Sequence, residues 1–233
     1  MGQDIQAVIV AANAAISPAR LAPYLQLAHG GQSAALDLYR HNLRLSGAAY
    51  EALAVVEVAL RNAIDQQLRI WNHTQRDRVS GQLLTSNWLL TPAPLLRRLI
   101  GNDIRTAGNH VTASRRARVA GHDDLLAQLS FGTWRYLLPD GDRGKRYLWA
   151  VTLQYAFPHL KNGRARLVEA VDGVYRLRNR VAHLEPLLKE SALRRQVRNM
   201  RFVMRCLNPD LEIWFRDISR VDEVLAEAPL VTM

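Results

Sequence analysis

The segment RLRNRVAHLEP (176–186) combines residue types that could act on a phosphate. Helical geometry, at about 100° per residue, places four side chains on one polar line: Asp172, Arg176, Asn179 and His183. Arg178 lies beside this line, on an apolar stripe. Histidine transfers protons near neutral pH, and arginine stabilises negative charge on phosphate. The sequence therefore predicts a general acid/base at His183, an anion stabiliser at Arg178 and a hydrogen-bonding side chain at Asn179.

Two predicted helices each place one charge at the centre of an apolar stripe. In helix 163–185, Arg178 interrupts the stripe formed by Leu167, Val171, Val174 and Val181. In helix 47–71, Glu57 interrupts the stripe formed by Leu53, Leu60 and Ile64. A charge on a packing face is costly unless paired, so we expect Glu57 within salt-bridge distance of Arg178. The pair would orient Arg178 for chemistry, or it would only fix helix packing.

The end of the helix determines what surrounds His183. The residue before a proline avoids the helical region, so Pro186 predicts a helix end at or near Glu185. His183 then lies in the last turn, where exposed carbonyls favour the protonated ring. A lone helical histidine more often has a structural role, but its position near Arg178 favours proton transfer.

The charge balance favours an anionic partner. Of 31 basic residues only three are lysines, and the formal net charge is +10. The planar fork of arginine suits phosphate, so we expect RNA as the partner, although such a composition also fits a GC-rich genome. The residues expected to contact RNA are Arg176 and one face of helix 189–206, formed by Arg194, Arg198, Arg201 and Arg205. The alternative for this face is ordinary solvation. A shorter basic cluster is formed by Arg115, Arg116 and Arg118.

Other chemistries lack support in the sequence. The single cysteine, Cys206, excludes a disulfide framework within the chain. The seven histidines are scattered without metal-ligand spacing, so we expect neither a metal nor a cofactor. No apolar stretch reaches the length of a membrane span, and we expect a cytoplasmic protein without membrane contact.

Helical periodicity dominates the chain, which predicts an all-α fold in a single domain, 1–233. The predicted helices are 3–15, 18–29, 33–45, 47–71, 94–108, 112–120, 122–138, 145–156, 163–185, 189–206 and 210–226. Helices 33–45 and 47–71 are separate, or they form one helix bent near Gly47. Ser17 is expected to cap the helix that begins at Pro18, and residues 72–93 to form a loop with a short helix.

The sequence resembles the HEPN superfamily, whose motif is an arginine followed, after four to six residues, by a histidine near a helix end. RNRVAH (178–183) fits this motif, with Asn179 in the polar place after the arginine. Longer blocks resemble the Abi-like branch, named for bacterial abortive-infection proteins. These are AALDLYRHNLRLSGAAYEALAVVEVALRNAIDQQL (34–68), HDDLLAQLSFGTWRYLL (122–138) and YRLRNRVAHLEPLL (175–188).

The resemblance implies an HEPN-type helical bundle elaborated with extra helices, homodimerisation and, in many members, RNA cleavage without a metal. Arg178, Asn179 and His183 of two subunits would line one cleft, with Glu57 as a supporting residue. Some HEPN toxins carry a tyrosine two residues after the histidine, which a partner antitoxin modifies. Glu185 occupies that place here, so this form of control is not expected, although an antitoxin or regulatory partner is consistent with the family.

We therefore expect a metal-independent endoribonuclease, acting as a toxin or phage-defence effector. The alternative is a non-catalytic RNA-binding or dimerisation module on the same fold. Retention of both Arg178 and His183 favours the enzyme, because a binding module needs no histidine at a helix end.

Overall fold

The computed structural model describes residues 2–114, 120–161 and 163–229. Within these ranges the chain forms helices and no β-strand, which confirms the all-α class. The α-helices are α1 (Gly2–Ile16), α2 (Pro18–Leu27), α3 (Gln32–His73), α4 (Pro94–Ser114), α5 (His122–Leu126), α6 (Phe131–Leu137), α7 (Arg143–Val151), α8 (Gly163–Ala182), α9 (Glu190–Leu207), α10 (Pro209–Ile218) and α11 (Val221–Ala226), with a 3₁₀ turn at Leu153–Ala156.

Helix α3 is the central element of the fold. Its 42 residues run without interruption through Ser46 and Gly47, so the two segments predicted there are one helix. A glycine costs a helix about 1 kcal/mol relative to alanine, but apolar side chains buried on both sides of Gly47 outweigh that cost. Its buried stripe includes Leu45, Leu53, Val56, Leu60, Ile64 and Leu68. This stripe packs against α2, α6, α8, α9 and α11.

Helix α8 packs between α3 and α9, which confirms the expected packing of 47–71 against 163–185. The predicted stripe of α8, Leu167, Val171, Val174 and Val181, is buried. On the side facing α9, Gly173 allows close approach: a Cβ atom there would lie 2.5 Å from Oε1 of Gln196 and 2.8 Å from Nδ2 of Asn199. The positions of the α8 side chains are therefore fixed by contacts on two sides.

Several predicted helices are divided or joined in the structure. The segment 122–138 forms α5 and α6, separated at Ser130, whose extended backbone starts the second helix. Likewise, 210–226 forms α10 and α11, because Ser219 adopts an extended conformation. Helix α4 continues to Ser114 despite a non-helical Ile100 (φ −134°). The rest of the predicted helix 112–120 falls largely on 115–119, outside the described residues.

Two further expectations near turns are wrong. Ser17 makes no side-chain capping bond, since it adopts a positive φ of 67°, although Pro18 does begin α2. No helix forms within 74–93. That loop is instead held by buried Asn72, which donates to the carbonyls of Thr85 (2.7 Å) and Thr91 (2.9 Å) and accepts from the amide of Ala93 (2.9 Å).

Among the described helices, none is alone long and apolar enough to cross a membrane. The pair Ala7–Ile16 and Pro18–Leu27 reaches that length and apolarity together, across a bend of 119°.

A buried carboxylate joins α3 to the elements that precede and follow α4. Asp65 accepts hydrogen bonds from Nε2 of His122 (2.8 Å), Nε1 of Trp88 (2.8 Å) and Nε of Arg69 (2.7 Å). Burial opposes ionisation of Asp65, but the hydrogen bonds from His122, Arg69 and Trp88 outweigh it and hold the pKa of Asp65 below its usual range. The cluster was not predicted, because its members are distant in sequence and share no motif.

We expect Asp65→Asn to lower the free energy of unfolding by about 3–5 kcal/mol, because it leaves buried donors and Arg69 without their anionic acceptor. Since the folded-state pKa of Asp65 is lowered, its stabilisation is present above about pH 4 and is lost as pH falls through that pKa. Urea unfolding of both proteins between pH 7 and pH 3 measures the difference, which should shrink with acidity.

Asp123→Asn is the matched control for this prediction. Asp123 also binds Arg69, at 2.6 Å, but its side chain is 87% exposed. Its loss should therefore cost less than about 1 kcal/mol. Equal effects of the two substitutions would show that the buried cluster is not a source of stability.

Candidate functional site

The last helical residue of α8 is Ala182, three positions before the predicted end at Glu185. The Glu185 amide donates to the Arg180 carbonyl (2.9 Å) and the Leu184 amide to the Val181 carbonyl (3.1 Å), with Leu184 at a positive φ of 53°. These are the hydrogen bonds of a Schellman motif, which ends the helix upstream of Pro186. His183 is therefore the first residue after α8; it is exposed, and its amide still donates to the Asn179 carbonyl of the last turn at 2.9 Å.

Arg20 of α2 holds the backbone at this helix end. Its guanidinium donates to the carbonyl of Leu184 (2.8 Å) and, less closely, to that of His183 (3.4 Å). A cation at a helix C-terminus satisfies carbonyls that lack helical partners and interacts favourably with the helix dipole. Sequence reasoning missed Arg20 because it lies 163 residues before His183 and no local pattern connects them.

A cavity of about 620 Å³ opens between α3 and the end of α8. We call it the Arg178 cavity. Its charged lining residues are Glu57, Arg61 and Arg178, and its largely apolar walls include Leu43, Tyr50, Leu53, Val58, Leu129 and Leu184. Cavities of this size with a few convergent polar groups are typical of ligand sites.

Glu57 and Arg178 line the same cavity, but the predicted salt bridge is absent. No oxygen of Glu57 lies within 4.0 Å of a nitrogen of Arg178. Burial raises the pKa of Glu57, and the charges of Arg178 and Arg61 and the amide of Phe131 offset this only in part. Among the described residues, Arg178 has no carboxylate oxygen within 4.0 Å of its guanidinium.

His183 and Asn179 occupy a different face from Arg178. Among the described residues, the lining of the Arg178 cavity includes Ala182 and Leu184, on either side of His183, but not His183 itself. Asn179 is half-buried and its carbonyl accepts the amide of His183 at 2.9 Å. The structure thus places Glu57 and Arg178 in the lining of one cavity. It leaves Asn179 and His183 outside that lining.

Most of the arginines predicted to bind RNA are engaged within the chain. Arg194 pairs with Glu190 (2.6 Å) and Asp222 (2.7 Å). Arg201 and Arg205 share the buried carboxylate of Glu212, at 2.7 and 3.3 Å.

On α8, Arg176 pairs with Asp172, which also binds Arg135 at 2.6 Å. These pairs fix α9 to α10 and α11 and α8 to α6. Of the predicted α9 face, Arg198 is the exposed arginine that the structure does not pair. The cluster Arg115, Arg116 and Arg118 lies outside the described residues.

Within the described part of the chain, no group of three His, Cys, Asp or Glu side chains is arranged to hold a metal ion. Cys206 is buried, and burial raises the pKa of its thiol to about 11, which makes it a poor nucleophile. The chemistry available at the site therefore consists of arginine, histidine, asparagine and carboxylate side chains.

Comparison with protein-family models, with curated proteins and with solved structures finds no match for this chain. The interpretation of the site consequently depends on its own residues and geometry.

We expect Glu57→Gln to raise the melting temperature at pH 7. The folded-state pKa of Glu57 is raised, so ionised Glu57 destabilises the fold at neutral pH, whereas the neutral amide keeps its shape without that cost. The gain should disappear as pH falls towards about 4, where Glu57 of the natural chain is itself protonated. Thermal unfolding across this pH range measures it.

Glu51→Gln, on the same helix, provides a control of opposite sign. Hydrogen bonds from Arg220 (2.9 and 3.0 Å) lower the pKa of Glu51, so its neutralisation should lower the melting temperature. A lower melting temperature for Glu57→Gln at pH 7 would mean that Glu57 is a structural ion-pair partner instead.

Proposed function

We propose that this chain is a metal-independent endoribonuclease on an HEPN-type bundle of the Abi-like branch, acting as a toxin or phage-defence effector in the cytoplasm. One observation carries the proposal. Arg178 lines an open cavity, five positions before the exposed His183, and in the described part of the chain no carboxylate oxygen lies within 4.0 Å of its guanidinium. In a chain that pairs many of its other arginines, a half-buried arginine left available is suited to an anionic substrate.

The reaction requires two proton transfers and one anion stabiliser. The RNA 2′-hydroxyl attacks the adjacent phosphorus, and a base accepts its proton as the new P–O bond forms. The P–O5′ bond breaks, and an acid gives a proton to the leaving oxygen. Arg178 stabilises the additional negative charge on the phosphate, while His183 transfers protons. Asn179 lies one turn before His183 and can hydrogen-bond its ring or the phosphate.

A homodimer supplies what one chain lacks. His183 does not line the Arg178 cavity of its own chain, so one chain does not bring the proton-transfer group and the anion stabiliser to the same phosphate. The rim of that cavity exposes large apolar side chains, including Tyr50 (67% exposed) and Leu184 (49%). Such a surface suits an isologous contact, in which two copies of 175–185 face each other and each cavity receives the partner's histidine.

The second candidate is a non-catalytic RNA-binding or dimerisation module on the same fold. The separation of His183 from the Arg178 cavity within one chain favours it, because without a partner the two side chains do not converge. A regulatory protein such as an antitoxin would fit either function. Cleavage products separate the two candidates.

We expect the purified protein to cleave RNA in EDTA and leave a 2′,3′-cyclic phosphate and a 5′-hydroxyl. DNA should resist, because it lacks the attacking hydroxyl. His183→Ala should slow cleavage by about 10²–10⁴-fold, the usual effect of losing an acid/base. Arg178→Lys should also impair cleavage, because it keeps the charge but loses the planar fork. Single-turnover rates and mapping of cut ends provide the measurements.

His110→Ala is the matched control, since His110 is exposed on α4 and does not line the Arg178 cavity, and its rate should equal that of the natural chain. Cleavage that requires a metal, acts equally on DNA or survives His183→Ala would eliminate the mechanism. The binding-module function would then be preferred.

The composite site makes a separate prediction. Mixed dimers of His183→Ala and Arg178→Ala subunits should recover part of the activity that each variant lacks alone, because one of their two sites combines intact residues from both chains. Co-expression with two different affinity tags isolates the mixed species. Full activity in a monomer, or mixed dimers as inactive as the two parents, would show that the site is not shared.

A further inference from the structure

A second cavity, of about 230 Å³, lies between α8 and the start of α9. We call it the α8–α9 cavity. Its lining contains four cationic residues, Arg176, Arg180, Lys189 and Arg195, together with Gln196. No Asp or Glu is part of the described lining. The volume is below the range of about 300–1,000 Å³ typical of drug-sized ligand sites, so it suits a single small group.

The positive charge of this cavity is only partly compensated. Arg180 pairs with Glu185 at 3.2 Å and donates to the Pro186 carbonyl, and Arg176 pairs with Asp172. Neither Lys189 nor Arg195 has a carboxylate within 4.0 Å in the described chain.

Two carboxylates outside the cavity lining therefore pair with two of the four cations, and like charges gathered in one concavity repel unless an anion enters. The same cavity receives the start of α9, an 18-residue helix whose first residue follows Lys189 with no side-chain cap. The amides of a helix start attract anions, and the carboxylate in the first turn of α9, Glu190, is already paired with Arg194 at 2.6 Å.

The location connects the cavity to the proposed reaction. Arg176 belongs both to the cavity lining and to the polar line that carries Asn179 and His183. Along the helix axis, Arg176 and His183 are separated by about 10 Å. A strand whose reacting phosphate lies at His183 would therefore place a neighbouring part of its backbone over the α8–α9 cavity.

We propose that the α8–α9 cavity binds a backbone phosphate of the RNA, next to the one that reacts. The identification of the bound strand as RNA rests on the proposed function. The α8–α9 cavity replaces most of the predicted α9 arginine face as the surface that binds RNA. Arg180, Lys189 and Arg195 are binding residues in this scheme and take no part in proton transfer. The guanidinium forks of Arg180 and Arg195 match the paired oxygens of a phosphate.

The test measures binding without cleavage. A fluorescent 2′-O-methyl oligonucleotide cannot be cut, because its nucleophile is blocked, so anisotropy reports affinity alone. Arg195→Gln and Lys189→Gln should each weaken Kd by about tenfold, the effect of losing one hydrogen-bonded charge contact. Each should also reduce the slope of log Kd against log salt by about 0.7, as expected for one lost contact to a single strand.

Arg198→Gln is the matched control. Arg198 is exposed on the same helix, three residues beyond Arg195, and carries the same charge, but it does not line the cavity. It should change Kd by less than about twofold. Equal effects of Arg195→Gln and Arg198→Gln would overturn the proposal, because they would indicate general electrostatic attraction. Melting curves of all three variants establish that the fold is retained.

The outcomes separate this inference from the proposed function. Arg195→Gln should weaken binding of the oligonucleotide, whereas His183→Ala should slow the cleavage of bound natural RNA. If natural RNA is never cut but Arg195→Gln still weakens binding tenfold, the enzyme proposal fails and the phosphate site stands. If inorganic phosphate raises the melting temperature through Arg195 while oligonucleotide affinity is insensitive to that residue, the cavity belongs to a free phosphorylated ligand and the RNA site is wrong.

Discussion

The packing of α8 between α3 and α9 determines every feature of the candidate site. The buried stripe of α8 meets α3, and Gly173 brings its opposite side close to α9. Because both sides of α8 are fixed by packing, the directions of its other side chains are also fixed. Arg178 lines the cavity beside α3, Arg176 and Arg180 line the cavity beside α9, and Arg176 also belongs to the polar line of Asn179 and His183. One helix thus separates two cavities of different chemistry.

The end of α8 is more constrained than a simple proline stop would require. Leu184 adopts a positive φ, which is unfavourable for a bulky residue, and the Schellman bonds and Arg20 together hold it there. The consequence is that His183 leaves the helix on a fixed backbone while its ring remains exposed. Strain of this kind is found at functional sites, where surrounding contacts over-determine an unfavourable conformation.

The sequence alone was sufficient for periodic features. The all-α class and the buried stripes of α3 and α8 follow from helical spacing, which local residues determine, whereas the predicted Glu57–Arg178 salt bridge does not form although both residues line one cavity. It was insufficient where partners are distant in the chain. The Asp65 cluster, the hydrogen bond from Arg20 to Leu184 and the ion pairs of the α9 arginines join segments that share no sequence pattern.

Net charge is therefore a poor guide to where this chain would meet RNA. The formal charge of +10 suggested the regular arginine face of α9, but regular spacing on a helix also lets neighbouring helices pair with it, as Glu212 and Asp222 do. An arginine already paired must give up that partner, or share it, before it can bind a phosphate. The cations that matter for binding are those whose surroundings leave them uncompensated. Among the described residues, Arg178, Lys189 and Arg195 meet that condition and also line a cavity, whereas Arg198 is unpaired but lines neither cavity.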